Sequence, residues 1–209
     1  MALGRSFPFR TIPAADKIAE SQSSWYHAFM NEFTIIKPEE LSANAFSTIG
    51  KDWLLITAEV EGKVNTMTAS WGGLGVMWHK NAAFIFIRPQ RYTKEFVDGS
   101  SHLSLCVLED GLRKELNYLG TVSGRDEPKI EKAGLTVCHE DGIPYFDQSR
   151  IVLVCRKLFA QQLDPKCFVD TTIEPKIYPN KDYHYMYVCE VEKVLVRQPV
   201  AAAPLSESW

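Results

Sequence analysis

The chain has 209 residues, 45% hydrophobic and 23% charged, which is ordinary globular composition and enough for one good-sized core rather than two domains. A formal charge of −3 and a pI near 6.0, with no basic cluster interleaved with aromatics, argue against a nucleic-acid partner. The longest uninterrupted apolar run is the six residues from Ala82 to Ile87, and the N-terminus has no apolar segment of signal-peptide type, so neither a membrane span nor export is expected.

Cysteines at 106, 138, 155, 167 and 189 are odd in number and form no CxxC. Three lie in strand-like runs, where a thiol behaves as a small hydrophobe, and the set points to a reducing, cytoplasmic setting.

In chain order, residues 1–24, with Pro8, Pro13 and several serines, read as an N-terminal arm; 25–197 read as the folded domain and 198–209 as a C-terminal tail. Trp25, Tyr26, Phe29 and Phe33 recur at a spacing of three to four, the pattern of a short segment packed on the core. Residues 37–41 open a helical turn with Pro38 near its start. Residues 53–60, WLLITAEV, predict a strand, and Glu61, Gly62 and Lys63 a tight turn.

Residues 64–93, VNTMTASWGGLGVMWHKNAAFIFIRPQRYT, carry the chemistry. Asn65, Met67, Thr68, Ala69 and Ser70 are small or polar where a core strand would show Val, Ile and Leu, which leaves the backbone free to meet the polar edge of a flat ring. Trp71, Gly72, Gly73 and Gly75 predict a turn, not a dinucleotide fingerprint, because no helix follows. Residues 82–87 predict a strand buried on both faces, delivering the chain into Arg88, Pro89, Gln90, Arg91, Tyr92 and Thr93. There two guanidiniums, a stiffening proline and a helix at 94–98 capped by Thr93 converge where a phosphate could bind, the alternative on the residues alone being a solvated loop.

Residues 103–108 predict a strand and 112–119 a helix ended by Gly120. The loop TVSGRDEPK at 121–129 is a second candidate phosphate rest, with Asp126 as N-cap of a helix over 127–133. Residues 134–146 read as an irregular connection with a turn at Asp141 and Gly142. His139, Glu140 and Asp141 within it are adjacent on a loop and nominate no metal site. Residues 150–162 and 184–196 are long strands of the kind that curl into a barrel, joined by a connection with a helical turn near 166–169. His184 starts the last strand, with Glu190 on the same face by the period of two.

The paired motifs NTMTASWGGLGVMW and FIFIRPQRYT resemble the flavin reductase-like family of FMN-binding split-barrel proteins, from about residue 25 to 197. The resemblance implies a mainly β fold, a six-stranded antiparallel Greek-key split barrel with short peripheral helices. It also implies a homodimer with FMN near the subunit interface and its phosphate by the RPQRYT loop. Ser123, Gly124 and Lys129 carry over from a second family segment, GTVSGRDEPK, and His184 from a strand position near which the nicotinamide docks; Tyr183 and Cys189 depart from the usual residues around it.

The function these residues predict is an FMN-dependent oxidoreductase. It takes hydride from NADH or NADPH and passes electrons to free flavin, a partner protein or a small acceptor. The alternatives are a flavoredoxin-like carrier with poor nicotinamide turnover and a non-catalytic module holding flavin or haem. Hydride transfer to a flavin is chemistry of the cofactors, so no catalytic acid, base or nucleophile is nominated. Trp71 and Trp78 are candidate walls for the ring.

Overall fold

The computed structural model describes residues 33–197; the expected arm at 1–24, the tail at 198–209 and most of the aromatic segment before Phe33 lie outside them. Strands β1 (Phe33–Ile36), β2 (Leu54–Val60), β3 (Lys63–Ala69), β4 (Gly72–Met77), β5 (Lys80–Ile87) and β6 (His102–Leu108) are followed by β7 (Val137–Glu140), β8 (Ile143–Phe146), β9 (Ser149–Gln162) and β10 (Tyr185–Arg197). Helices α1 (Tyr92–Gly99), α2 (Arg113–Thr121), α3 (Lys129–Lys132) and α4 (Ile173–Ile177) sit in the connections.

Every strand pairing is antiparallel, and the main sheet runs β3-β2-β6-β9-β10-β5-β4. Its two outer strands, β3 and β4, are consecutive in the chain and do not pair, so the barrel is split between them. The 14-residue β9 lies along β10, while the other side of β10 is shared: Tyr185 to Glu190 pair with β5 and Val194 to Arg197 with β1.

Two-residue periodicity divides the sheet into two cores. Leu54, Ile56, Leu103, Leu105, Leu153, Cys155, Tyr187 and Cys189 fill the barrel; Leu55, Cys106, Val152 and Val154 face outward, where α2 and the β7–β8 hairpin cover them with Leu116, Leu119, Ile143 and Phe146. A register shift between Val191 and Lys193 returns Val194 to the barrel side, three residues after Val191 rather than two.

The fold class is as expected, with eight strands in the main sheet instead of six. The two additional ones are β1, in which Phe33 begins a strand, and β4. The glycine run is an edge strand, not a turn; none of Gly72, Gly73 and Gly75 has positive φ. Glycine is needed there for approach, since a Cβ on Gly72 would lie 2.7 Å from the backbone oxygen of Phe84 on β5. The turn falls at Trp78 and His79, with φ of 54° and 57°, a two-residue hairpin loop of the primed kind. Phe84 and Phe86 are half-buried, so β5 is not covered on both faces.

Other boundaries also move. Arg91 is the N-cap of α1, with Thr93 buried in its first turn; Gly120 lies inside α2. The helix after the second loop shrinks to Lys129–Lys132 with Pro128 at its cap, while Asp126 N–H donates to Ser123 O in a turn. The connection read as irregular is the β7–β8 hairpin, turning at Asp141 and Gly142 with φ of 51° and 78°. The helical turn near 166–169 is observed at Pro165–Cys167, with α4 as a further element.

Candidate functional site

The C-terminal ends of β3 and β5, the start of α1 and the loop after α2 surround two adjoining cavities of about 270 and 240 Å³. The first is lined by Met67, Arg88, Gln90, Arg91, Tyr92, Thr93, Thr121, Val122, Ser123 and Lys129. The second is lined by Met67, Thr68, Ala69, Ser70, Trp71, Phe86, Arg88, Arg91 and His184. Met67, Arg88 and Arg91 belong to both walls, so the two form one cleft with a polar, cationic end and an end of small and aromatic residues.

At the cationic end the charge resides on Arg91 and Lys129. Lys129 is 4% exposed and donates to Leu119 O and Val122 O, each at 2.9 Å. Arg91 donates to Gly120 O at 2.6 Å. All three acceptors are carbonyls, and neither cation has a carboxylate in its hydrogen bonds or ion pairs among the described residues. Burial, and then the neighbouring Arg91, pull the Lys129 ammonium down to about 8; burial, and then Arg88, lower Arg91. Two cations drawn together out of water without a counter-ion form a site that favours an anion.

Arg88 differs. Its guanidinium is ion-paired with Asp182, donates to Ile177 O at 3.0 Å and lies 5.3 Å from the centroid of Tyr178. Gln90 Nε2 donates to the same Asp182 Oδ2 at 2.8 Å. Together they hold the Asp182 carboxyl below its ordinary range, Arg88 acting most strongly.

The other end is built on the edge of the split. Met67, Thr68 and Ala69 pair with Ile56, Leu55 and Leu54 of β2, and the opposite edge of β3 meets no strand among the described residues. That leaves a row of backbone donors and acceptors open to a ligand. The Thr68 hydroxyl donates to Leu116 O, so its side chain can meet a ligand only as an acceptor. Trp71 stacks obliquely on His184, ring centroids 5.1 Å apart. His184 is 8% exposed, and its Nδ1 lies 2.9 Å from Tyr178 Oη. Burial first, then Arg88, bring its pKa down to about 4, with Asp182 opposing, so the ring is neutral at physiological pH.

Most of the expected residues therefore meet in one cleft. Asn65, Pro89 and Gly124 do not line it; Asn65 stands behind, its Nδ2 donating to Thr93 Oγ1 at 3.0 Å. Gly124 packs so tightly on Asn65 that an added Cβ would overlap Oδ1 and sit 3.2 Å from Cγ. Gly124→Ala is accordingly expected to destabilise the fold by about 1–3 kcal/mol through overpacking, read from the denaturant midpoint. An unchanged midpoint would mean that Asn65 has room to give.

Trp78 is outside the cleft, edge-on to Phe159 at 6.2 Å. Glu190 pairs with Lys80 and Arg156 on the strand face, not with His184. His139 bonds Glu59, whereas Glu140 and Asp141 share Lys193, so the histidine turns to a different partner from the two carboxylates. Sequence reasoning missed Phe86 in the walls and Tyr178 behind them; Thr121 and Val122 fell within the second candidate loop, and Asp182 beside His184, without being nominated singly. Phe86 was legible from its place in β5 two residues before Arg88; Tyr178 sits in a proline-rich connection with no pattern to single it out.

The comparisons agree with this architecture. An FMN-binding domain of a flavin reductases-like enzyme from Shewanella baltica OS155 superposes with a TM-score of 0.59 at 16% identity, over 80% of this chain and 78% of that one. Flavoredoxin from Methanosarcina acetivorans gives 0.54 at 18%, over 75% and 89%. The styrene monooxygenase flavin reductase from Pseudomonas putida S12 gives 0.52 at 14%, over 72% and 80%. At these identities the likeness is one of fold. No curated protein sequence matches the chain. The family model for the flavin reductase like domain matches residues 46–206, a span that takes in both edges of the split, the cationic loops and His184, and the chain belongs to that family.

Proposed function

We propose that this chain is an FMN-binding oxidoreductase that accepts hydride from NADH or NADPH and passes electrons to free flavin, a partner protein or a small acceptor. The observation that carries the reading is the polarity of the cleft: a buried Lys129 and a half-buried Arg91 at one end, neither with a carboxylate partner among the described residues, and an open strand edge with Trp71 and His184 at the other. Such a cavity matches a ligand with a phosphate on one side and a flat, hydrogen-bonding ring on the other.

In this reading Arg91, Lys129, Ser123, Thr93 and the N-terminal turn of α1 hold the phosphate. The backbone of Met67 to Ser70 meets the ring's polar edge, and Trp71 with Phe86 walls it. Bound FMN would supply the hydride-accepting ring; the chain's own share is to orient it, exclude water from one face and leave the other open beside His184 for the donor. A neutral imidazole suits that place, since it offers a hydrogen bond without adding to the positive charge of the cleft.

A second copy of the chain is the proposed cover for the apolar residues along β4 and its neighbours. Trp71, Val76 and Trp78 are 47%, 73% and 52% exposed, and Phe46 is 91% exposed. Light scattering is expected to give twice the mass of one chain, and a monomer would remove the dimer from the proposal.

The central test is optical. Protein incubated with FMN and passed through a desalting column is expected to stay yellow, and anaerobic addition of millimolar NADH or NADPH to bleach it within seconds. Colour without bleaching would replace the reductase by an electron carrier fed by another protein, and colourless protein would remove flavin altogether.

A further inference from the structure

Arg88 sits between the two ends of the cleft, but its bonds run away from the cavity, into the connection between β9 and β10. That connection leaves β9 at Gln162 and returns at His184, whose carbonyl accepts from Leu163 N–H at 2.9 Å. Between these points Phe168, Tyr178 and Tyr183 pack together with ring centroids 5.2 to 6.3 Å apart, and Tyr178 packs edge-on against His184 at 5.6 Å. Arg88 reaches this cluster three times, through Asp182, through Ile177 O and across the face of Tyr178. Gln90 adds a fourth tie to Asp182. The other oxygen of Asp182 is buried without a hydrogen-bond partner, so this carboxylate is withdrawn into the joint and not a solvated surface ion.

We propose that Arg88 is a positioning residue that acts through Asp182. It latches the 163–184 connection against the RPQRYT loop, and so, through Tyr178, fixes His184 beside Trp71 where the electron donor docks; it does not serve as a ligand of the phosphate. This rests on the reading of the cleft given above. The electrostatics separate the alternatives, because a phosphate ligand and a latch respond oppositely to loss of Asp182. If Arg88 held an anion, removing the neighbouring carboxylate would free its charge and tighten binding. If Arg88 is a latch, removing either partner opens the same joint.

The experiment compares the full chain with Arg88→Met, Asp182→Asn and the double variant. It measures FMN and riboflavin affinity by fluorescence titration, and KM and kcat for NADH in steady state. Riboflavin lacks the phosphate, so the ratio of the two affinities reports phosphate contacts alone. The expected result is a rise of about fivefold or more in KM in both single variants with kcat within about twofold. The double variant should be no worse than the worse single one, as for two residues acting as a unit. The FMN-to-riboflavin ratio should stay within about threefold of the parent in all three variants. Arg88→Lys, which keeps the ion pair and loses the reach to Ile177 O, should fall between parent and Arg88→Met.

Tighter FMN binding in Asp182→Asn together with a collapsed ratio in Arg88→Met would overturn the latch and make Arg88 a phosphate ligand. Should the parent bind no flavin, or bind it without turnover, the latch is read independently by trypsin. Cleavage after Lys166, Lys176 or Lys181 is expected to quicken equally in both single variants, and resistance equal to the parent's would overturn it.

Discussion

Changing Arg91 to alanine and Lys129 to methionine in the same chain is expected to weaken FMN binding by about a hundred- to ten-thousandfold, since each charge-assisted contact to a phosphate is worth about 1.5–3 kcal/mol. Riboflavin affinity should change by less than about threefold, because it has no group for these cations to meet. Both numbers come from one fluorescence titration of each flavin, with circular dichroism to show that the fold persists. The effect is assigned to these two residues because the buried Lys129 and the half-buried Arg91 have only carbonyl acceptors among the described residues, whereas Arg88 is already neutralised by Asp182. An equal loss for both flavins, or no loss for FMN, would show that the phosphate is held elsewhere.

The second large effect is on pH. In the flavin-free protein Lys129 loses its proton near pH 8, against an ordinary value of 10.5. A bound phosphate favours the charged form and raises that pKa, so FMN affinity should fall as pH climbs above about 8, by about 10- to 150-fold once the ammonium is gone. On the acid side affinity should also fall below about pH 6, where the phosphate becomes a monoanion. The stability of the flavin-free protein should move the other way. Between 8 and 10.5 the unfolded chain binds the Lys129 proton more tightly than the folded one, so stability rises with pH across that window. Titrations of FMN at pH 7 and pH 10 check the first statement and urea midpoints the second. FMN affinity flat across this range, or equally steep for riboflavin, would remove Lys129 from the phosphate site.

The long β9 and β10, the β2–β3 hairpin and the RPQRYT loop were legible in the sequence because local signals and tertiary packing agree there. β-Branched residues alternate with period two, and Glu61-Gly62 is the turn that a right-twisted hairpin requires. Residues 72–77 were misread because glycine signals both flexibility and close approach, and only the Phe84 carbonyl standing 2.7 Å from a would-be Cβ on Gly72 decides between them. The same ambiguity hid the β7–β8 hairpin, whose short strands pair over a turn but carry little apolar alternation.

The sequence by itself determined the long strands and, through its resemblance to a known family, the kind of fold and the two loops that supply cations and hydroxyls, because strand periodicity and motifs are local properties of the chain. Only the tertiary structure decided how charge is shared among them. Whether an arginine is free to meet an anion depends on which carboxylate the fold brings to it. Asp182, 94 residues from Arg88 in the chain, reaches it through the β9–β10 connection, while Arg91 and Lys129 are carried into a wall made of carbonyls. Burial and neutralisation are properties of three-dimensional neighbours, and no spacing along the chain encodes them.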